Sequence, residues 1–214
     1  ACMSDRMLLL DLDRTLVDLQ SFTDYGAALG DVERLLGTWA EAPVPQTDWD
    51  GPTMACMSVL HALLGDPRWA EVSAAIAVHE RAAIPHSTAM PTVLETRQIL
   101  RATPVAVVTL LAPELVPEVL AAHGIGVGQG AEVDVVIGRS AEIRPKPEPD
   151  GLLAACAALG GEPADAVMIG DSSWDAEAAT RAGVSFIGVP SSPGSLSGST
   201  CEATLADAVA RALS

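Results

Sequence analysis

From Thr92 onward the chain alternates short β-branched runs with segments of helical period, and that alternation restricts it to a parallel sheet joined by helical crossovers. The spacing predicts helix 92–101, strand 105–109, helix 114–123, strand 133–137, helix 149–159, strand 166–169, helix 176–182 and strand 184–189. A Ser/Gly/Pro-rich stretch, 190–200, reads as a flexible connection, with a border of the site as the alternative, before a last amphipathic helix, 205–213. A further apolar run, Met7-Leu8-Leu9-Leu10, reads as a buried strand near the start. No internal repeat is visible.

Residues 18–89 interrupt the alternation. Met54, Met57, Leu60, His61 and Leu64 recur at steps of three and four, the mark of a helix. Asp66-Pro67 reads as an N-cap followed by proline at the first helical position, opening a helix through Val72, Ile76 and His79 towards Arg81. Pro43, Pro45, Pro52, Pro85 and Pro91 punctuate the segment, and 84–90 reads as the return hinge. The organisation expected is therefore a core of 1–17 and 90–214 with a helical insertion at 18–89.

Open α/β sheets bind ligands beyond the carboxyl ends of their strands, which places the loop Asp11-Leu12-Asp13-Arg14-Thr15 at an active edge. Three further segments end at that edge: Val105-Ala106-Val107-Val108-Thr109, the proline-stiffened Arg144-Pro145-Lys146-Pro147-Glu148-Pro149, and Val167-Met168-Ile169-Gly170-Asp171-Ser172-Ser173-Trp174-Asp175. Asp11, Asp13, Asp171 and Asp175 bring more negative charge than can stand alone. Two carboxylates about 4 Å apart repel by roughly 4 kcal/mol at an effective dielectric near 20, and such crowding raises a pKa unless a cation intervenes. A dense set of hard oxygen ligands suits Mg²⁺, which takes one or two carboxylates together with a substrate phosphate. A carboxylate nucleophile facing a phosphate ester needs the same neutralisation.

The order Asp-x-Asp-x-Thr, strand-terminal Thr, Lys-Pro and Gly-Asp-x-x-x-Asp resembles the four motifs of the haloacid dehalogenase superfamily of phosphatases and phosphotransferases, and in particular its phosphoglycolate phosphatase branch. The resemblance implies an α/β fold, a Rossmann-like parallel sheet core with helices on both faces, and an all-α cap domain at 18–89 that closes over the site and excludes bulk water. It implies that Asp11 attacks phosphorus, that Asp13 protonates the leaving alcohol and then activates water, that Thr109 hydrogen-bonds the phosphoryl group and that Lys146 neutralises charge. The metal ligands it implies are Asp11, Asp171 and the backbone carbonyl of Asp13, with Asp175 holding metal waters or Lys146 in place. Asp13 favours phosphate esters over haloacids, because an alkoxide leaving group needs a proton and a halide does not.

Two positions depart from the resembled pattern. Arg14 stands where glycine is usual, which matters if the backbone there takes positive φ; its retained N–H would still be available to phosphate, and its side chain could meet a substrate anion or face solvent. Leu110 and Leu111 follow Thr109 in place of a small or amide residue, removing a polar contact to substrate.

Composition agrees with a single core plus an insertion: 214 residues, 49% hydrophobic but only 3% aromatic, so small side chains let helices pack closely on a sheet. The formal net charge of −16 argues against nucleic acid as a partner. A small phosphorylated metabolite can still bind, since distant surface charge is screened within about 8 to 10 Å. No apolar stretch reaches the length of a membrane span, and Leu8-Leu9-Leu10 is too short for a signal peptide. Cys2, Cys56, Cys156 and Cys201 show no paired spacing and read as thiols in a reducing cytoplasm. His61, His79, His86 and His123 form no metal-ligand pattern; His61 and His79 are expected to pack or face solvent, and His86, near the hinge, to approach substrate. Trp39, Trp49 and Trp69 are expected to pack within the insertion. The activity expected is Mg²⁺-dependent hydrolysis of a small phosphate monoester through an aspartyl phosphate. The alternatives are a β-phosphoglucomutase-type phosphotransferase and a silent phosphate-binding protein, and the oligomeric state is not readable.

Overall fold

The computed structural model describes residues 6–39, 44, 47–191, 196 and 198–214. Cys2, Pro43, Pro45 and part of the connection 190–200 lie outside them. Five parallel strands form the main sheet: β1 (Met7–Leu10), β4 (Val105–Val108), β5 (Val135–Ile137), β6 (Ala166–Gly170) and β7 (Ser185–Gly188), in the order β5-β4-β1-β6-β7. A second, two-stranded antiparallel ladder pairs β2 (Val17–Asp18) with β3 (Thr88–Ala89), Val17 opposite Ala89. The central strand β1 pairs with β4 on one side and β6 on the other, Leu10 standing opposite both Val107 and Ile169. Strand order reverses at β1, so the crevice beyond its carboxyl end is where an open sheet accepts a ligand.

Why the strands form is visible in their alternation. Leu8, Leu10, Val105, Val107, Val167 and Ile169 point into one apolar cluster, while Met7, Leu9, Ala106, Val108, Ala166 and Met168 point into another on the opposite face. The first face is covered by α4 (Val93–Leu100), α5 (Val116–Ala122) and α8 (Leu205–Ala212), the second by α6 (Asp150–Leu159) and α7 (Ser173–Ala182). A strand buried on both faces must read as a continuous apolar run, as β1 and β4 do. The fold is the expected α/β type, a parallel sheet with helices on both sides.

Between β2 and β3 lie α1 (Tyr25–Leu36), α2 (Gly51–Ala62) and α3 (Trp69–Ala83), which share a third apolar cluster. Asp24 caps α1 by accepting from the Ala27 N–H, and Asp50 caps α2 by accepting from the Thr53 N–H. The start expected for α3 is corrected. Pro67 and Arg68 form a turn, and Asp66 accepts from the Arg68 backbone and guanidinium instead of capping, so the helix opens at Trp69. Helix α7 begins three residues earlier than its apolar pattern suggests, because Ser172 and Asp175 form a reciprocal capping box.

The three helices are tied to the sheet by buried polar and aromatic contacts. Arg139, just beyond β5, donates to Glu80 Oε1 of α3 at 2.6 Å, to Ser73 Oγ at 2.9 Å and to the Ser73 and Leu110 carbonyls. Trp174 of α7 is fully buried within the third cluster, its ring 4.9 Å from that of Trp49 and edge-on to His61 at 5.4 Å. Cys56, Cys156 and Cys201 are unbridged, and no described helix is long and apolar enough to cross a membrane. Since removing one partner of a buried pair leaves the other charge uncompensated, Arg139→Leu is expected to cost about 3–5 kcal/mol in urea unfolding. The double variant Arg139→Leu/Glu80→Leu should recover much of that loss; equal losses in the two variants would contradict the pairing.

Candidate active site

The carboxyl ends of β1, β4 and β6 deliver Asp11, Thr109 and Asp171 to one place, and the loop after β5 adds Lys146. Lys146, the only lysine in the chain, is buried and spends its three ammonium protons on Asp11 Oδ1 at 2.6 Å, Asp175 Oδ1 at 2.5 Å and the Val108 carbonyl at 3.0 Å. Asp175 lies in the first turn of α7, with Oδ2 accepting from the Ser172 hydroxyl at 2.6 Å and the Ser172 N–H at 3.1 Å. Both its oxygens are thus held by protein donors, which suits a part in orienting Lys146. Gly170 makes this possible: a Cβ there would meet Asp175 Cγ at 2.5 Å.

Among the described residues Asp171 receives one hydrogen bond, from Ser191 Oγ at 2.9 Å. Of the two readings of the connection, a flexible link or a border of the site, Ser191 meets the second. Asp11 Oδ2 is 3.5 Å from the Thr15 hydroxyl. Thr109 Oγ1 accepts from the Leu111 N–H at 3.1 Å, which leaves its own proton free to donate into the cleft. Asp13 sits at the cleft margin, where Oδ1 accepts from the Leu19 N–H at 2.9 Å and the Gln20 N–H at 3.0 Å, leaving Oδ2 uncommitted.

Arg14 takes φ 58°, so the position does demand the left-handed region, at a cost of order 1–2 kcal/mol for a side chain. Its N–H donates to the Val17 carbonyl at 2.7 Å and so is not available to phosphate, and its guanidinium lies 3.9 Å from Asp48 outside the cleft lining. His86 is exposed and away from the cleft. His61 instead supports the site, its Nε2–H donating to the Lys146 carbonyl at 3.0 Å across 85 residues of sequence. Trp49 packs against the cluster of the insertion as expected and also lines the cleft, as do Tyr25, Thr53, Met57 and Glu80.

Burial dominates the electrostatics. It pushes Asp11 up to about 6 against the pull of Lys146, and Asp13 up to about 7 despite the two backbone donors. Burial, with Asp11 and Asp175 nearby, pushes Asp171 up to about 8. For Lys146 burial works against the charge, but Asp11 and Asp175 outweigh it and hold its pKa above the ordinary lysine value. Asp11, Asp171 and Asp175 each offer an oxygen within 4.8 Å of the others. One lysine cannot balance them, and Asp171 has no cationic partner among the described residues; the excess fits a divalent cation bound by hard oxygens.

A family model described as haloacid dehalogenase-like hydrolase matches residues 6–183. Among solved structures, the chain is similar to a candidate phosphoglycolate phosphatase from Lactobacillus plantarum, at TM-score 0.66 and 18% identity over 96% of this chain and 98% of that one. It is similar to CbbY from Rhodobacter sphaeroides in complex with phosphate, at TM-score 0.65 and 20% identity over 94% and 95%. A subfamily IA hydrolase from Geobacter sulfurreducens matches at TM-score 0.60 and 19% identity over 97% and 96%. No curated protein matches.

Folding raises the pKa of Asp11, Asp13 and Asp171 above the unfolded value of 3.8. Stability from these groups in the metal-free protein is therefore full below about pH 4 and is lost as pH climbs through about 6 to 8. Urea midpoints of the metal-free chain should fall across that window, and Asp171→Asn should flatten the upper part of the fall; parallel curves for the two proteins would contradict the assignment.

Proposed function

The chain belongs to the haloacid dehalogenase-like hydrolase family and is a phosphatase-like hydrolase of it, and we propose that it hydrolyses a small phosphate monoester through an aspartyl phosphate formed on Asp11. One observation carries this reading: two carboxylates two residues apart sit in environments fitted to opposite tasks. Burial raises both carboxyls, but Asp11 faces the Lys146 ammonium at 2.6 Å, which favours the ionised nucleophile, while Asp13 has no cationic partner among the described residues, accepts only from two backbone N–H groups and keeps Oδ2 uncommitted, which suits a proton donor.

In the first step an Asp11 oxygen bonds to phosphorus as the bond from phosphorus to the ester oxygen breaks, and Asp13 gives its proton to that departing oxygen. In the second, the Asp13 carboxylate takes a proton from water, whose oxygen bonds to phosphorus and releases Asp11 and inorganic phosphate. Thr109 Oγ1–H and Lys146 hold the charge that develops on the phosphoryl oxygens. Asp11, Asp171 and the Asp13 carbonyl would hold Mg²⁺, with Asp175 fixing Lys146 beside them. When bound, that ion would neutralise carboxylate and phosphate together, letting two anions approach.

Residues 18–89 act in this reading as a cap over the core of 1–17 and 90–214. What supports it is placement: the chain leaves and returns through the paired β2 and β3, and Trp49, Thr53 and Glu80 stand over the carboxylates. A cap so placed excludes bulk water from the phosphoryl group. A small phosphorylated metabolite suits a cleft in which Trp49, Thr53 and Met57 of the insertion stand close to Asp11, Asp13 and Lys146 of the core. A reducing cytoplasm is the setting inferred, supported by the buried unbridged Cys56 and Cys156.

Phosphate release from p-nitrophenyl phosphate and from ethyl phosphate is expected with Mg²⁺, lost with EDTA and lost in Asp11→Asn. In kcat/KM, which reports the steps up to departure of the alcohol, Asp13→Asn should slow ethyl phosphate by ~10²- to 10⁴-fold and p-nitrophenyl phosphate far less, because nitrophenolate leaves without a proton; hydrolysis of the common aspartyl phosphate should slow alike for both. An equal fall in kcat/KM for the two esters would contradict the acid role given to Asp13, and conversion of a sugar phosphate to an isomer without free phosphate would favour the phosphotransferase.

A further inference from the structure

Two polar atoms that the chemistry above does not use are buried at the insertion side of the cleft without a hydrogen-bond partner among the described residues: Thr53 Oγ1 and Glu80 Oε2. Both residues line the cleft, and their residual exposures are 3% and 1%. The rest of each residue is committed. Glu80 Oε1 accepts from Arg139 Nη1 at 2.6 Å and lies 3.4 Å from the Tyr25 hydroxyl, while the Thr53 N–H serves the cap of α2. A buried polar atom left unpaired costs about 1–3 kcal/mol, so two on residues that line one cleft are expected to be satisfied by what the cleft binds.

The charges around them limit what that can be. Glu80, paired with Arg139, is a carboxylate and only accepts, so its partner must donate. Among the described residues Lys146 is the only cation lining the cleft, its three protons already engaged, and the segments outside the described residues contain no Lys or Arg. A second anionic group on the substrate would find no cation and would face Glu80. Leu110 and Met57, with the Trp49 and Trp174 rings 4.9 Å apart, wall the space between with apolar and aromatic surface, which accommodates a short carbon chain and favours an ammonium over a carboxylate.

We propose that the leaving group of the substrate is a short alcohol carrying a hydrogen-bond donor, an ammonium or a second hydroxyl, and no second anion, with Glu80 Oε2 and Thr53 Oγ1 as the groups that select it. This inference rests on the phosphate-monoester reading. Sites built to hydrogen-bond a substrate group discriminate against analogues lacking it, because the site is then left unpaired.

Binding tests it without turnover. Calorimetric titration of Mg²⁺-loaded Asp11→Asn with 2-aminoethyl phosphate, glycerol 1-phosphate, ethyl phosphate and 2-phosphoglycolate should show at least one of the first two binding tenfold or more tighter than ethyl phosphate. That ratio corresponds to ~1.4 kcal/mol. Phosphoglycolate should bind weakest, and the tighter of the first two identifies the donor as ammonium or hydroxyl. Adding Thr53→Val should narrow the ratio of donor-bearing ester to ethyl phosphate. Phosphoglycolate binding tightest, or ethyl phosphate matching both donor-bearing esters, would overturn the proposal. Turnover by the unmodified chain separates the two readings. No phosphate from any ester, with the binding order intact, would defeat the phosphatase reading alone; release from all four with equal affinities would defeat the selection alone.

Discussion

The buried bridge of Lys146 to Asp11 and Asp175 is the interaction on which the rest of the site depends. An ammonium that is 5% exposed would be costly without partners, and its partners come from β1, from the end of β4 and from the start of α7. Each is fixed in turn. Asp11 follows a strand buried on both faces, Asp175 is gripped by the Ser172 capping box, and the Lys146 carbonyl is held by His61 from the helical insertion. Removing Asp11 or Asp175 would leave the buried Lys146 ammonium short of a counter-charge.

The same cluster explains why two neighbouring carboxylates behave differently. Asp11 is close to the cation, whereas Asp13 turns towards the Leu19 and Gln20 N–H groups at the entry to the insertion. Its position is therefore set by the entry to the insertion, which couples the Asp13 carboxyl to the placement of the helices that follow. The insertion in turn is anchored by Trp174, one residue before Asp175, and by the Arg139–Glu80 pair. The carboxylate cluster and the insertion are thus joined through neighbouring residues of α7 and of the segment after β5.

How much of this was legible in the sequence follows from how local each feature is. The strands and the alternation from Thr92 onward were readable because both faces of the sheet are buried, and burial writes itself into every residue of Met7–Leu10 and Val105–Val108. Helix starts were less so: Ser172 and Asp175 set the start of α7 through a cap, and the chelation of Arg68 by Asp66 delayed α3. Pairings distant along the chain left no pattern at all. Arg139 and Glu80 are 59 residues apart, His61 and Lys146 85, and Ser191 and Asp171 20, and none belongs to a periodic or motif spacing. Arg14 was visible as a departure from a glycine position, but only the backbone shows that the positive φ is kept and that its N–H is spent on Val17.

Covalent transfer to Asp11 is the central claim, and trapping the intermediate tests it most directly. The chain would be mixed with substrate and Mg²⁺, quenched in acid within the first turnover, reduced with borohydride and mapped by mass spectrometry. The account predicts homoserine at position 11 and at no other aspartate. Phosphate released in a single turnover with Asp11 unmodified throughout would mean that water attacks phosphorus directly, and would contradict it.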